Sequence, residues 1–212
     1  MKKPVIIINL KTYQTGQKSL ELVEKIEKVS KDIIIGVQAP EIFRVFSNTK
    51  LEIFVQHVDS YLPGRNTGYI IPKTVKENGA SGTFLNHSEH PISLSLLKET
   101  IGVCKSIGLK TAVFARSLSE AKKIEKLNPD YLIYEPPELV AGDISVSQAK
   151  PEIIEKISKV LKMPFLVGAG IKNNNDFLKS LELGANGIAV SSAITTVDNP
   201  EEVLRELIGK KK

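Results

Sequence analysis

The stretch Tyr131-Leu132-Ile133-Tyr134-Glu135-Pro136-Pro137 sets four strand-forming residues against a carboxylate and then two prolines. Proline has no N–H and a fixed φ, so a central strand stops there. Glu135 is thereby put at a strand's carboxyl end, the end that faces the site in parallel α/β folds. Taken alone, a Glu in that position is a solvated charge. Other strand ends change its meaning: Asn9-Leu10-Lys11, Asn86-His87-Ser88-Glu89, Gly168-Ala169-Gly170 and Ser191-Ser192-Ala193. At one common mouth they would supply a lysine, an imidazole able to act neutral, a carboxylate and two small-residue turns. Turns of that kind, opening helices, expose backbone N–H groups that suit a phosphate. The chemistry is that of a base and an electrophile acting on a small phosphorylated carbonyl compound. Singly, Lys11 is a surface lysine and His87 a satisfied strand-end histidine. Their joint occurrence with Glu135 carries the argument.

The mouth requires a parallel sheet. Apolar, β-branched runs begin near Val5, Ile33, Ile53, Gly82, Lys110, Tyr131, Pro164 and Gly187, each followed by a polar or Gly-rich break and a helical pattern. Ser117-Leu118-Ser119-Glu120 reads as a capping box, and Asn199-Pro200-Glu201-Glu202 as a cap with proline at the first helical position. Asn173-Asn174-Asn175 is a polar helix cap. Gly79, Gly108 and Gly184 stand where helices end in a left-handed residue. Strands alternating with helices through short connections predict an α/β fold, a compact (β/α)8 barrel, as a single domain over residues 1–212. A doubly wound open sheet is the structural alternative, but no Gly-x-Gly-x-x-Gly follows the first strand.

Composition narrows the partners. With 42% hydrophobic residues the chain can bury a sizeable core, and no apolar run approaches a membrane span or a signal peptide. The net charge of +5 is spread out, with one dense block at Lys210-Lys211-Lys212, and the aromatics do not interleave with it. Nucleic-acid binding is therefore not expected, and a small anionic substrate accounts for the basic balance equally well. The single Cys104 excludes an internal disulfide framework and fits a reducing, cytoplasmic compartment. It lies at helical spacing with Leu97, Ile101 and Ile107, as a core residue. No metal-ligand cluster is read, and neither a metal nor a cofactor is expected.

Asn9-Leu10-Lys11, Asn86-His87-Ser88-Glu89 and Tyr134-Glu135-Pro136-Pro137 resemble the signature segments of the triosephosphate isomerase family. Val55-Gln56-His57-Val58-Asp59 and Val167-Gly168-Ala169-Gly170-Ile171 resemble its shorter archaeal branch, and the likeness runs from about residue 5 to residue 205. The resemblance implies an isomerase of dihydroxyacetone phosphate and glyceraldehyde 3-phosphate acting through an enediolate. It implies Glu135 as base, His87 as neutral electrophile and Lys11 as fixed charge, with Glu89 as the ionic partner of Lys11. Neutrality of His87 is expected from a helical turn starting at Ser88 and Glu89. Asn9, Leu10, Lys11, Val140, Gly170, Ser191 and Ser192 are the implied substrate-binding residues. His57 and His90 read as structural.

Residues 136–144 resemble the family's closing lid, with departures. Val140-Ala141-Gly142-Asp143 stands where Ile-Gly-Thr-Gly is usual, and Ser191-Ser192-Ala193 where Ala-Ser-Gly is usual. Asp143 brings a negative charge toward a dianion, at about 2 kcal/mol per charge pair for roughly 8 Å and an effective dielectric near 20. Gly64-Arg65-Asn66-Thr67-Gly68 resembles the loop that enters a neighbouring subunit, which implies a homodimer or homotetramer with Thr67 reaching across. Two other functions fit the pattern less fully: another phosphate-binding barrel isomerase or aldolase, and a barrel that binds sugar phosphate without turnover.

Overall fold

Strand pairing follows chain order. The computed structural model describes residues 3–139 and 145–210. Its parallel strands are β1 (Val5–Asn9), β2 (Ile33–Val37), β3 (Glu52–Val55), β4 (Gly82–Leu85), β5 (Lys110–Ala115), β6 (Tyr131–Tyr134), β7 (Phe165–Val167) and β8 (Gly187–Val190). Each pairs with the next, and β8 returns to β1 to close the barrel. The eight expected strands are thus found, two of them one residue from the expected start. Strand β3 begins at Glu52, and β7 at Phe165 because Pro164 has no N–H for the ladder.

The helices outside the barrel are α1 (Gln17–Val29), α2 (Ile42–Asn48), α3 (Pro72–Glu77), α4 (Leu94–Ser106), α5 (Leu118–Glu125), α6 (Val146–Ala149), α7 (Pro151–Val160), α8 (Asn174–Glu182), α9 (Ser192–Thr195) and α10 (Pro200–Leu207). Their caps follow the sequence in most places. The side chains of Asn173 and Asn199 accept the N–H groups of Asp176 and Glu202, and Gly79, Gly108 and Gly184 all have positive φ. The box at α5 is half formed. Ser117 accepts the Glu120 N–H, but the Glu120 carboxylate turns to the Arg116 N–H at 2.7 Å and to its guanidinium, a stronger charged donor.

Two cores result from the pleat. Ile7, Ile34, Phe54, Phe84, Ile133 and Leu166 fill the barrel, while the alternate residues Ile6, Ile8, Ile33, Ile35, Leu132 and Val167 face the helices. The interior mixes large and small side chains. A Cβ on Gly36 would lie 2.1 Å from the Phe84 ring, and one on Gly82 2.3 Å from the Phe54 ring. Glycine at those positions admits the rings Phe54, Phe84 and Phe114, which pack tilted and edge to face through the barrel at centroid distances of 5.9 and 5.6 Å.

Cys104 is fully buried on the inner face of α4. Burial, reinforced by Asp130, pushes its thiol up to about 12. An unfolded thiol titrates near 8.5, so between about pH 9 and 12 the folded chain keeps a proton that the unfolded chain has lost. That contribution to stability is present below the window and declines as pH rises through it, by up to about 1.4 kcal/mol per pH unit. Urea unfolding from pH 8 to 11 should therefore show a steeper decline for the parent than for Cys104→Ala. Parallel slopes would contradict the burial argument.

Candidate active site

Alternation continues one layer above the barrel's hydrophobic interior. Asn9, Gln56, Glu135, Gly168 and Ser191 each follow an interior residue (Ile7, Phe54, Ile133, Leu166, Ala189) by two positions, so they too are set inward. Here the strands end, and polar atoms replace packing. Asn9 and Glu135 are each 8% exposed.

His87 breaks the alternation. Two places beyond Phe84 stands Asn86, not His87, and Asn86 has a φ of 58°. The left-handed residue swings its own amide outward, where Nδ2 donates to Phe114 O at 2.9 Å and to Glu120 Oε1 at 3.1 Å, and Oδ1 accepts the Ile92 N–H at 3.1 Å. His87 takes the inward place. Its ring meets Phe114 edge to face at 4.7 Å, and its Nε2 lies 3.5 Å from Glu135 Oε1. Its Nδ1 accepts the Glu89 backbone N–H at 3.1 Å. A ring nitrogen that accepts carries no proton, so this bond selects the neutral tautomer with its proton on Nε2, toward Glu135. The expected helix start is not the cause. Ser88 and Glu89 form a tight turn closed by His90 N–H to His87 O at 2.8 Å, and α4 begins only at Leu94, capped by Ser93.

Lys11 also adopts a left-handed conformation, with φ of 48°. Asn9 Oδ1 accepts its N–H at 2.9 Å, and Gln56 Nε2 donates to its carbonyl at 2.8 Å and to Asn9 Oδ1 at 3.2 Å. The ammonium pairs with Glu89 at 2.5 Å, as expected. Gln56 was not anticipated as a support for this turn. Its position two beyond inward Phe54 was the available signal. Leu10 requires a correction. Its side chain is 1% exposed in the outer core and its N–H is bonded to Gly36 O at 2.9 Å, because the pleat turns it away from the mouth.

One cavity is lined by Asn9, Lys11, His87, Glu135, Gly170 and both Ser191 and Ser192. Phe114, Tyr13 and Lys172, not anticipated from the sequence, complete parts of its wall. Ser191 Oγ is buried and has no hydrogen-bond partner among the described residues. The backbone N–H groups of Gly170 and Ile171 likewise meet no acceptor among the described residues. The first turn does not open a helix directly. Ala169 and Gly170 have φ of 74° and 68°, and α8 starts only at Asn174. Val140, Ala141 and Asp143, named above for the lid, lie outside the described residues. His57 and His90 stack at 4.1 Å in an adjoining cavity that shares Asn9, Lys11 and His87 with the first. Burial, and then the neighbouring His90, lower the His57 pKa.

A closed parallel barrel with a carboxylate, an imidazole and an ammonium at the carboxyl ends of its strands belongs to the (β/α)8 enzymes. The family model of triosephosphate isomerase matches residues 4–113, and that of the thiazole biosynthesis protein ThiG matches residues 143–207. Triosephosphate isomerases of Sulfurisphaera tokodaii and Sulfolobus acidocaldarius are 39% and 40% identical to the chain, over 98% of it and 95% of each relative. That of Methanocaldococcus jannaschii is 37% identical over 96% of the chain and 98% of the relative. The chain belongs to the triosephosphate isomerase family.

Gly168 gives a direct test of the geometry. A Cβ there would lie 2.5 Å from Glu135 Oε2, a contact relieved by moving the carboxylate. Gly168→Ala should lower turnover by about 10²-fold through displacement of the carboxylate, while the urea midpoint stays close to the parent's. Equal loss of stability and activity would mean that the barrel, not Glu135, had shifted.

Proposed function

We propose that the chain interconverts dihydroxyacetone phosphate and D-glyceraldehyde 3-phosphate, with Glu135, His87 and Lys11 as its catalytic residues. The observation that carries this is the convergence of Glu135 Oε1 and His87 Nε2, 3.5 Å apart, in the cavity that Lys11 also lines. The Glu135 carboxylate takes the proton from C1. The C–H electron pair becomes the C1–C2 double bond, and the carbonyl pair moves onto O2. The Nε2–H of His87 hydrogen-bonds the developing enediolate and relays a proton from O1 to O2. Glu135 then returns its proton at C2, and C1 becomes the aldehyde. No electrons leave the substrate, so the reaction itself calls for no redox cofactor. Lys11 supplies fixed positive charge to the enediolate oxygen and the phosphate. Asn9 holds the Lys11 turn. Gly170, Ser191 and Ser192 hold the phosphate, a role supported by the unpartnered Ser191 Oγ and the unaccepted Gly170 N–H.

Conversion of dihydroxyacetone phosphate, followed through a coupled dehydrogenase, tests the activity. Glu135→Asp withdraws the carboxylate by one methylene and should cut turnover by about 10²-fold while inhibition by inorganic phosphate is unchanged. Equal losses in phosphate binding and rate would make Glu135 a binding residue.

We read the chain as a homo-oligomer, a dimer or a tetramer. The segment from Asp59 to Ile70 is pinched at its neck by Asp59 N–H to Ile70 O and Ile70 N–H to Asp59 Oδ2. Its tip, Gly64 to Gly68 with Thr67, is almost wholly exposed, and Leu62 and Tyr69 beside it are 63% and 51% exposed. The cavity holding His57 and His90 adjoins the catalytic residues and suits such a tip from a second copy. No helix among the described residues is long and apolar enough to cross a membrane. Together with the lone thiol this supports a cytoplasmic reading. Sedimentation should give a mass of two or four chains, and Thr67→Arg should move it toward one. A parent that sediments as a monomer at micromolar concentration ends the oligomer reading.

A further inference from the structure

Asp176, in the first turn of α8, is 2% exposed although it carries a carboxylate. The cap of that helix is already supplied by Asn173, whose Oδ1 accepts the Asp176 N–H at 3.0 Å. The carboxylate is directed elsewhere. Its Oδ1 accepts Ser145 Oγ–H at 2.8 Å and Gln148 Nε2–H at 2.5 Å, and its Oδ2 accepts the Lys172 N–H at 3.0 Å. Ser147 Oγ–H adds a bond to the Asp176 carbonyl at 3.3 Å, and the Val146 N–H bonds Ala169 O at 3.1 Å. Among the described residues, every side-chain donor to the Asp176 carboxylate thus comes from residues 145–148, before and within α6. Its backbone donor, Lys172, closes the turn that follows β7. A buried carboxylate is costly to desolvate and is retained where hydrogen-bond donors satisfy its oxygens.

The turn so clamped contains the left-handed pair Ala169 and Gly170, whose φ values of 74° and 68° aim the Gly170 and Ile171 N–H groups away from any acceptor in the described residues. Such a turn is held only when its surroundings over-determine it. Asp176 supplies that determination from behind, at the Lys172 amide, while Val146 fixes Ala169 from the side. We propose that Asp176 is a positioning residue for phosphate binding: its carboxylate locks the Gly168–Lys172 turn to the start of α6 and so aims the Gly170 and Ile171 N–H groups at the substrate's phosphate. This rests on the reading that Gly170 belongs to the phosphate site. Asp176 itself does not line the cavity.

Asp176→Asn is the sharp test. If its Oδ1 keeps Ser145 and Gln148, its NH2 must face the Lys172 N–H, donor against donor, and the turn must move. The dissociation constant of inorganic phosphate, measured by calorimetry on the full chain well below the melting temperature, should rise about tenfold, and KM with it. Turnover at saturation should stay within about threefold, because Glu135 and His87 are held just beyond the ends of β6 and β4, away from this turn. Ser145→Ala removes one donor without setting two donors together and should give a smaller rise, about threefold. Parental phosphate affinity in Asp176→Asn overturns the proposal, as does a fall in turnover at unchanged affinity. If Asp176→Asn does not fold, parental affinity in Ser145→Ala overturns it alone. An active parent enzyme that is not competitively inhibited by phosphate would instead remove the phosphate-site reading beneath it.

Discussion

A parallel sheet closed on itself has no edge strand and one interior, and the pleat sends every second residue of every strand into it. That constraint governs the whole molecule. Below the rim the inward places are Ile7, Phe54, Phe84, Ile133 and Leu166, and two glycines give the rings room. At the rim the same register sets Asn9, Gln56, Glu135, Gly168 and Ser191 inward, and Asn9, Glu135 and Ser191 line one cavity there. The site is thus the top layer of the core, with polar atoms in place of packing. Its residues come from distant segments because each strand can contribute only one or two at that height.

Where alternation would send the wrong side chain inward, the backbone changes hand. Lys11, Asn86 and Ala169 have positive φ, at the ends of β1, β4 and β7. For a residue other than glycine this costs about 1–2 kcal/mol. Each is held by bonds from the surrounding structure: Lys11 by Asn9 and Gln56, Asn86 by its own amide against Phe114 and Ile92, Ala169 by Val146. Strain at three points of one rim, offset by hydrogen bonds in each case, is the signature of geometry set by function. Pre-organisation of this kind is paid for in folding, before any substrate arrives.

Much of this was legible in the residues. Apolar, β-branched runs, each followed by a polar or Gly-rich break, gave the strands, and two prolines after Glu135 located its height. Joint occurrence of Lys11, His87 and Glu135 at strand ends gave the chemistry. What could not be read was the change of hand. No pattern of residue types states that Asn86 turns left-handed so that His87 faces inward, and the neutral tautomer follows from a turn N–H rather than from the expected helix start. Leu10 was misplaced for the related reason that its neighbours on both sides face the mouth, whereas the pleat buries it outside. Gln56 and Asp176 act through atoms 45 and 4 residues away, at Lys11 O and Lys172 N. Asparagine, glutamine and aspartate in such places look like ordinary turn formers until the partners are seen.

The charge at Lys11 shows how the rim can be both ordered and available. Its side chain is 14% exposed, whereas that of its partner Glu89 is 57% exposed. A pair with one solvated member gains little net energy from Coulomb attraction, because water competes for the carboxylate. Glu89 therefore holds the ammonium in position without neutralising it deeply. Under the function proposed above, a phosphate dianion entering the cavity would meet a lysine largely withdrawn from solvent and fixed by its left-handed backbone. The carboxylate that balanced it can turn to solvent at small cost. Had Glu89 been buried as Glu135 is, the pair would have been a structural lock, and the same lysine would have had no charge to offer.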